Sequence, residues 1–340
     1  MKKIFIVMTM IALCITLSAQ EADSISNLEA RISTLEKIAK KITVSGTMQA
    51  QFVQNDSSSN TASEGFILKK ARLKIVAAPT DKLSAVYQFD IANTFLTLDA
   101  YMQYAFSGSD KTGYAVRLGQ FSLPFRSDID SETPDSAVVV GQLAENLNGK
   151  VISKSQGLYF STAQSKNYSL QMSLTSAAGR NATNTNGNKA LVTTLRGKAK
   201  FGNGLTGGAS LLYSKQNKGF VPNNPVDTTY FRYGIDVQYK VNNNITLQAE
   251  YIGGTDDDSD DAPTINSHGY SGLAAYTFDE KNQAVLMYDN FSTTGQEDQN
   301  TFTVGYVYKI NSNLKVKAFE KFRTGATEGN DFVLDATLSF

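Results

Sequence analysis

Beyond residue 42 the sequence alternates between apolar and polar residues with a period of two, in runs of about ten, down to its last position. That is the spacing of a β-strand, whose successive side chains point to opposite faces. The runs are 43–54, 65–77, 83–91, 96–106, 114–121, 156–162, 168–176, 190–201, 205–214, 230–241, 245–252, 268–278, 283–291, 301–310, 314–323 and 331–340. Each is near the ~9–11 residues with which a tilted strand crosses a bilayer, and an even number of them allows the last to pair with the first. The pattern predicts an all-β chain, a sixteen-stranded antiparallel transmembrane β-barrel over residues 43–340.

The connections carry a second pattern that strand propensity alone does not produce. Tight turns (APTDK, SGSDKTG, AQSKN, GNG, NNN, DEKN, NSN) alternate with longer polar loops such as NDSSSNTASE, residues 122–155, AAGRNATNTNGNK, GTDDDSDDAPTINS and STTGQEDQN, with IANTF the one short exception. Short turns at one rim and long loops at the other are the habit of a membrane barrel. A soluble sandwich or propeller also alternates, but it has no reason for this asymmetry or for ending on an aromatic residue, Phe340, inside its final strand. The even strand count places both barrel ends at the short-turn, periplasmic rim.

Alternation also separates the faces. In the last run Phe332, Leu334, Ala336, Leu338 and Phe340 share one side, and Val333, Asp335, Thr337 and Ser339 the other. Leu83 to Ile91, Phe231 to Tyr239 and Phe302 to Ile310 give similar apolar rows, ending on Tyr and Phe where aromatic girdles sit. With 16 Tyr, 19 Phe and no Trp, the first two make the girdle.

A cation on the lipid face at the midplane costs about 2–4 kcal/mol. The stretch KKARLKIV must therefore turn Lys70, Arg72 and Lys74 inward, and the same argument places Arg117, Arg196, Lys198, Lys200, Arg232, Lys315, Lys317, Lys321 and Arg323 inside. Closure leaves only the first and last strands between the second and the fifteenth, so their cations form one basic wall. Asp90, Asp99, Asp236, Glu250 and Asp289 also point inward. Charged walls set ion selectivity, and a barrel of this size holds an aqueous channel if its loops leave a gap. The expectation is passive diffusion of small hydrophilic solutes and ions with a mild anion preference. The alternative is a structural or adhesive barrel plugged by its loops.

The N-terminus reads as a targeting segment. Lys2 and Lys3 precede an apolar run, Ile4 to Leu17, and small Ser18 and Ala19, the arrangement of a signal peptide over residues 1–19, too short to span a bilayer as a helix. It contains the sole cysteine, Cys14, so the mature chain has no thiol. Removing it takes two lysines from 32 basic residues and leaves 30 against 32 acidic ones, a balance that does not suit nucleic acid. Within residues 20–42, Ile25, Leu28, Ile32, Leu35, Ala39 and Ile42 fall on a heptad seam, predicting a periplasmic helix that either oligomerises as a coiled coil or lies on its own domain.

A terminal Phe340 on an alternating strand resembles the signal by which the barrel assembly machinery recognises outer-membrane proteins of Gram-negative bacteria. KKARLKI, followed by LSAVYQFDIA, LTLDAYMQYAF and VRLGQFSLPFRSD, resembles the front half of the phosphate-selective porin O and P family, best over residues 43–126. The resemblance implies a sixteen-stranded, usually trimeric channel in the outer membrane, among lipid and lipopolysaccharide, with phosphate or polyphosphate as candidate solutes. The chain departs from that family after GQF: residues 122–150 carry Asp128, Asp130, Glu132, Asp135 and Glu145 against Arg126 and Lys150. An acidic third loop facing a basic wall is similar instead to the constriction of general diffusion porins. Leu123, Pro124 and Phe125 are expected to turn that loop into the barrel.

Other signals carry little. DDDSDD, Asp256 to Asp261, lacks the glycine and terminal glutamate of a calcium loop and reads as a solvated run. GNGLTG matches a nucleotide-binding pattern only literally, because a strand follows it where a helix is needed. His268 is the only histidine and stands without a nucleophile or metal motif. No cofactor, metal or enzymatic activity is expected.

Overall fold

The structure, a computed structural model, describes Ser33 and residues 41–56, 64–92, 94–106, 113–125, 154–162, 167–177, 191–216, 228–258, 264–325 and 328–340. The expected signal peptide, nearly all of the expected helix, and residues 126–153 lie outside the described residues, and the expected helix does not reach residue 42, since Lys41 is in a turn and Ile42 opens a strand. The unit Thr43–Phe340 is the barrel.

Sixteen strands follow one another: β1 (Ile42–Asn55), β2 (Gly65–Ala77), β3 (Leu83–Asp90), β4 (Leu96–Ala105), β5 (Ala115–Ser122), β6 (Lys154–Ser161), β7 (Tyr168–Ser176), β8 (Leu191–Gly202), β9 (Leu205–Gln216), β10 (Thr228–Lys240), β11 (Ile245–Asp258), β12 (Ile265–Thr277), β13 (Asn282–Thr293), β14 (Gln299–Lys309), β15 (Leu314–Gly325) and β16 (Gly329–Ser339). Each pairs with its chain neighbours and β1 pairs antiparallel with β16, closing the barrel as expected. At the seam Gly46 and Phe340 exchange backbone hydrogen bonds of 2.8 and 3.1 Å. The Phe340 ring lies where a Cβ on Gly46 would stand, so a larger residue there would displace the terminal ring.

The largest departure from the expected boundaries is β11, which runs on to Asp258. Three acids read as a solvated loop therefore belong to a paired strand, with Asp256, Asp257 and Asp258 opposite Tyr230, Thr229 and Thr228. A loop composition misled the reading because pairing to β10, not propensity, holds that end extended.

Turns at the rim where β1 begins and β16 ends reuse one device. Asn242, Asp279 and Asn311 each accept, through Oδ1, the backbone N–H groups two and three residues on, all at 2.8 Å. Such a side chain mimics a backbone turn. The GNG turn solves the problem differently, with Gly202, Asn203 and Gly204 all at positive φ (81°, 46° and 80°), a path open mainly to Gly and Asn.

The four apolar rows expected to face lipid are exposed: Tyr87, Tyr233, Ile235, Tyr306, Leu334 and Phe340 are among the exposed large apolar side chains. On this outer face Tyr233–Tyr251, Tyr270–Tyr288 and Phe302–Phe322 pair ring to ring at 6.1, 5.9 and 6.4 Å, carrying an aromatic belt across β10 to β15. Tyr239, Tyr276 and Tyr308 stand on the same strands nearer the short turns. Two belts with aliphatic residues between them match the two interfaces of a bilayer.

Candidate functional site: the inner face of the barrel

Because directly opposed residues in antiparallel strands share a face, the exposed rows fix which side chains point inward. Lys70, Arg72 and Lys74 alternate with Leu73 and Ile75, which pair with the lipid-facing Phe89 and Tyr87; Arg72 and Lys74 stand opposite Asp90 and Gln88. Arg72 Nε donates to Asp90 Oδ2 at 2.8 Å, and the same carboxylate accepts the backbone N–H groups of Ala71 and Ala92.

Across the seam, Lys317 is buried with its Nζ 3.6 Å from Asp335 Oδ1. Asp335 also accepts from Gln49, from Gln51 at 2.9 Å and from Thr337 at 2.7 Å. Lys70 lies within electrostatic reach of Asp335 and Lys317, and Lys315 within reach of Lys317. Lys70 and Lys317 thus share the field of one carboxylate on β16, Asp335, which partly cancels them.

Arg196 shows how distant strands are joined. It sits on β8, buried, and its Nη1 donates to Ser210 Oγ at 2.8 Å and Asp236 Oδ2 at 2.7 Å, while Nη2 donates to Asp236 Oδ1 at 3.1 Å. Asp236 belongs to β10, so the pair reaches over β9, where Gly208 faces both Lys198 and Asp236 in the register. A Cβ on Gly208 would stand 2.6 Å from Asp236 Oδ2 and 2.8 Å from Arg196 Nη2, so the bridge needs glycine beneath it. Lys198, two residues on, is only half-buried opposite Ser169 and Gly208. Arg232 is likewise buried, donating to Thr255 O at 2.8 Å and to Asp256. Arg323 meets Asp331 at 2.8 Å, and Lys154 meets Asp99 at 2.6 Å.

Arg117 differs. It stands opposite Gln103 and Tyr159, Nε donating to Gln103 Oε1 at 2.5 Å, with its guanidinium carbon 5.0 Å from the Tyr101 ring centre and 4.5 Å from that of Tyr159. No carboxylate among the described residues pairs with it.

Beyond β5 the chain turns inward. Leu123 and Phe125 are buried against Ala177, Val192, Leu212 and Ile252, contributed by the ends or bodies of β7, β8, β9 and β11. Phe125 comes within 3.9 Å of where a Gly234 side chain would begin, on β10. Arg126, Asp128, Asp130, Glu132 and Asp135, which follow, lie outside the described residues.

Three features escaped the sequence reading. Lys154 was not singled out, because its partner Asp99 is two strands away and only register reveals the pair. The inner face of β12 to β16 is apolar in part, with Leu273, Ala275, Val285, Met287, Val307, Phe319 and Val333 buried together. Both faces of those strands carry apolar residues there, which blurs alternation. Conversely, Glu320 faces outward, opposite the lipid-facing Val304 and Phe332. Counting by twos from Lys317 and Lys321 would have exposed it.

No protein-family model matches this chain, and no curated protein matches it in sequence. Solved structures do match. A loop L8 deletion mutant of OmpT, an outer membrane protein of Vibrio cholerae, superposes with a TM-score of 0.69 at 13% identity, covering 88% of this chain and 99% of that one. An anion-selective porin from Comamonas acidovorans gives 0.66 at 14%, with 88% and 99% covered. Salmonella typhi OmpF, in complex with daunomycin, gives 0.62 at 15%, with 88% and 97% covered. At such identities the likeness is one of fold: with its closed barrel and outward aromatic belts, this chain is a sixteen-stranded β-barrel built on the porin fold.

Proposed function

We propose that the barrel is a porin, a water-filled channel for passive diffusion of small hydrophilic solutes and ions with a mild preference for anions, and that it has no enzymatic role. The observation that carries this reading is the ionic inner face: a lining of Lys and Arg inside sixteen strands is suited to a transverse field. Most of these cations face a carboxylate, as in Arg72–Asp90, Arg196–Asp236 and Lys317–Asp335. Such pairs contribute dipoles and little net field, which is why the preference is mild. Lys70, Lys74 and Arg117 have no carboxylate at ion-pair distance among the described residues and supply the surplus. Phosphate and polyphosphate are candidate solutes.

Residues 122–150 serve as the constriction loop in this reading, supported by the inward turn at Leu123 and Phe125. The protein works as a homotrimer, a reading supported by the trimer form among the similar structures. The barrel contacts lipid and lipopolysaccharide outside, and Phe340 serves as its assembly signal. Residues 1–19 serve as a signal peptide and 20–40, ahead of β1, as a periplasmic helix.

Planar-bilayer recording under a potassium chloride gradient tests the channel. A conductance step with a reversal potential on the anion side is expected; a cation-side potential would sink the preference. A second reading, a structural or adhesive barrel plugged by its loops, draws on the same inward turn, and it predicts no conductance step at all.

A further inference from the structure

Arg117 stands apart from the other inner arginines in its surroundings. Arg72, Arg196, Arg232 and Arg323 each meet an aspartate; Arg117 meets an amide oxygen and two rings. Tyr101 comes from β4 and Tyr159 from β6, the strands on either side of β5, so the guanidinium is held between rings arriving from both neighbours. Tyr159 is itself fixed, buried and edge-on to Phe121 at 5.6 Å, and Gln103 is buried beneath the Nε bond. Arg117 remains half-buried, with its fork committed to nothing else among the described residues.

A guanidinium whose Nε is tethered to Gln103 offers a ligand its remaining edge, where the two terminal nitrogens lie. Two parallel N–H groups there match the two coplanar oxygens of a carboxylate. A halide has no second acceptor atom to engage the fork. We infer that Arg117, held by Tyr101, Tyr159 and Gln103, is a carboxylate-binding site on the inner wall, taking small organic acids in preference to chloride. As a site on a solute's path it rests on the channel reading above, and it names the solute class.

The test is binding of acetate to the full chain folded in detergent, followed by saturation transfer to the acetate methyl group in proton NMR. Folding is checked by the mobility difference between heated and unheated gel samples. Acetate should bind, an equal concentration of chloride should leave most of the signal, and Arg117→Lys, which keeps the charge and loses the fork, should weaken binding about tenfold. Unchanged binding in Arg117→Lys, or displacement of acetate by equimolar chloride, would overturn the inference. Should Arg117→Lys not fold, Gln103→Glu makes the same test by giving the guanidinium an internal carboxylate, and retained acetate binding there would be equally fatal. A barrel that binds acetate but shows no bilayer conductance would refute the channel while leaving the site standing.

Discussion

Arg196 and Asp236 form the most enclosed bidentate pair among the described residues, with 2% and 11% of their side chains exposed. Removing one member leaves the other's charge with little solvent, a change that typically costs about 3–5 kcal/mol. Asp236→Ala is expected to lower the urea midpoint of unfolding accordingly, whereas Arg196→Met with Asp236→Leu should cost much less, since replacing both charges avoids the stranded one. A double mutant as unstable as the single one would show that the bridge matters for something other than its charges. Glu320 presents the opposite case, a carboxylate among Val304, Phe322 and Phe332 on the outer face. Acidic side chains on that face cost less than the ~2–4 kcal/mol of Lys or Arg, so Glu320→Leu should stabilise the barrel in lipid by about 1 kcal/mol. No gain, or a loss, would mean that the carboxylate has a partner there.

At the scale of elements, the strands and turns obey different rules. The turn at Asp279 lies outside the membrane span, and the Asn282 side chain, followed by the Lys281 backbone N–H, holds its carboxyl below the usual carboxylate range. A lowered value in the folded state means that the turn's stabilisation is complete above the ordinary carboxylate range and is lost as pH falls through the lowered value. The protection of the Lys281 and Asn282 amides, taken relative to the intrinsic exchange rate at each pH, should fall on acidification, and Asp279→Asn should remove that pH dependence. Strand existence was legible in the sequence because one face of every strand is dictated by lipid. Strand ends were less so. β11 reaches Asp258 because β10 is long enough to pair with it, and nothing local in GTDDDSDD announces that.

At the scale of the whole molecule, closure is what makes the inner face a site. Lys70 and Lys317 lie 247 positions apart in sequence yet share the neighbourhood of Asp335, because β16 and β1 join. The proposed trimer has its own test: deleting residues 24–42 should weaken the oligomer seen on unheated gels, and an unchanged trimer would assign that segment another task. The sequence by itself determined the barrel, its sixteen strands and the face each side chain takes, because a period of two and a fixed bilayer thickness leave one solution. It did not determine which charges neutralise one another. That depends on register, which sets the height of a residue on one strand against its neighbours, and on gaps such as Gly208 that let a side chain cross a strand. Alternation placed Arg117 and Arg196 on the same wall; only the tertiary structure gave one an aspartate and the other two tyrosines.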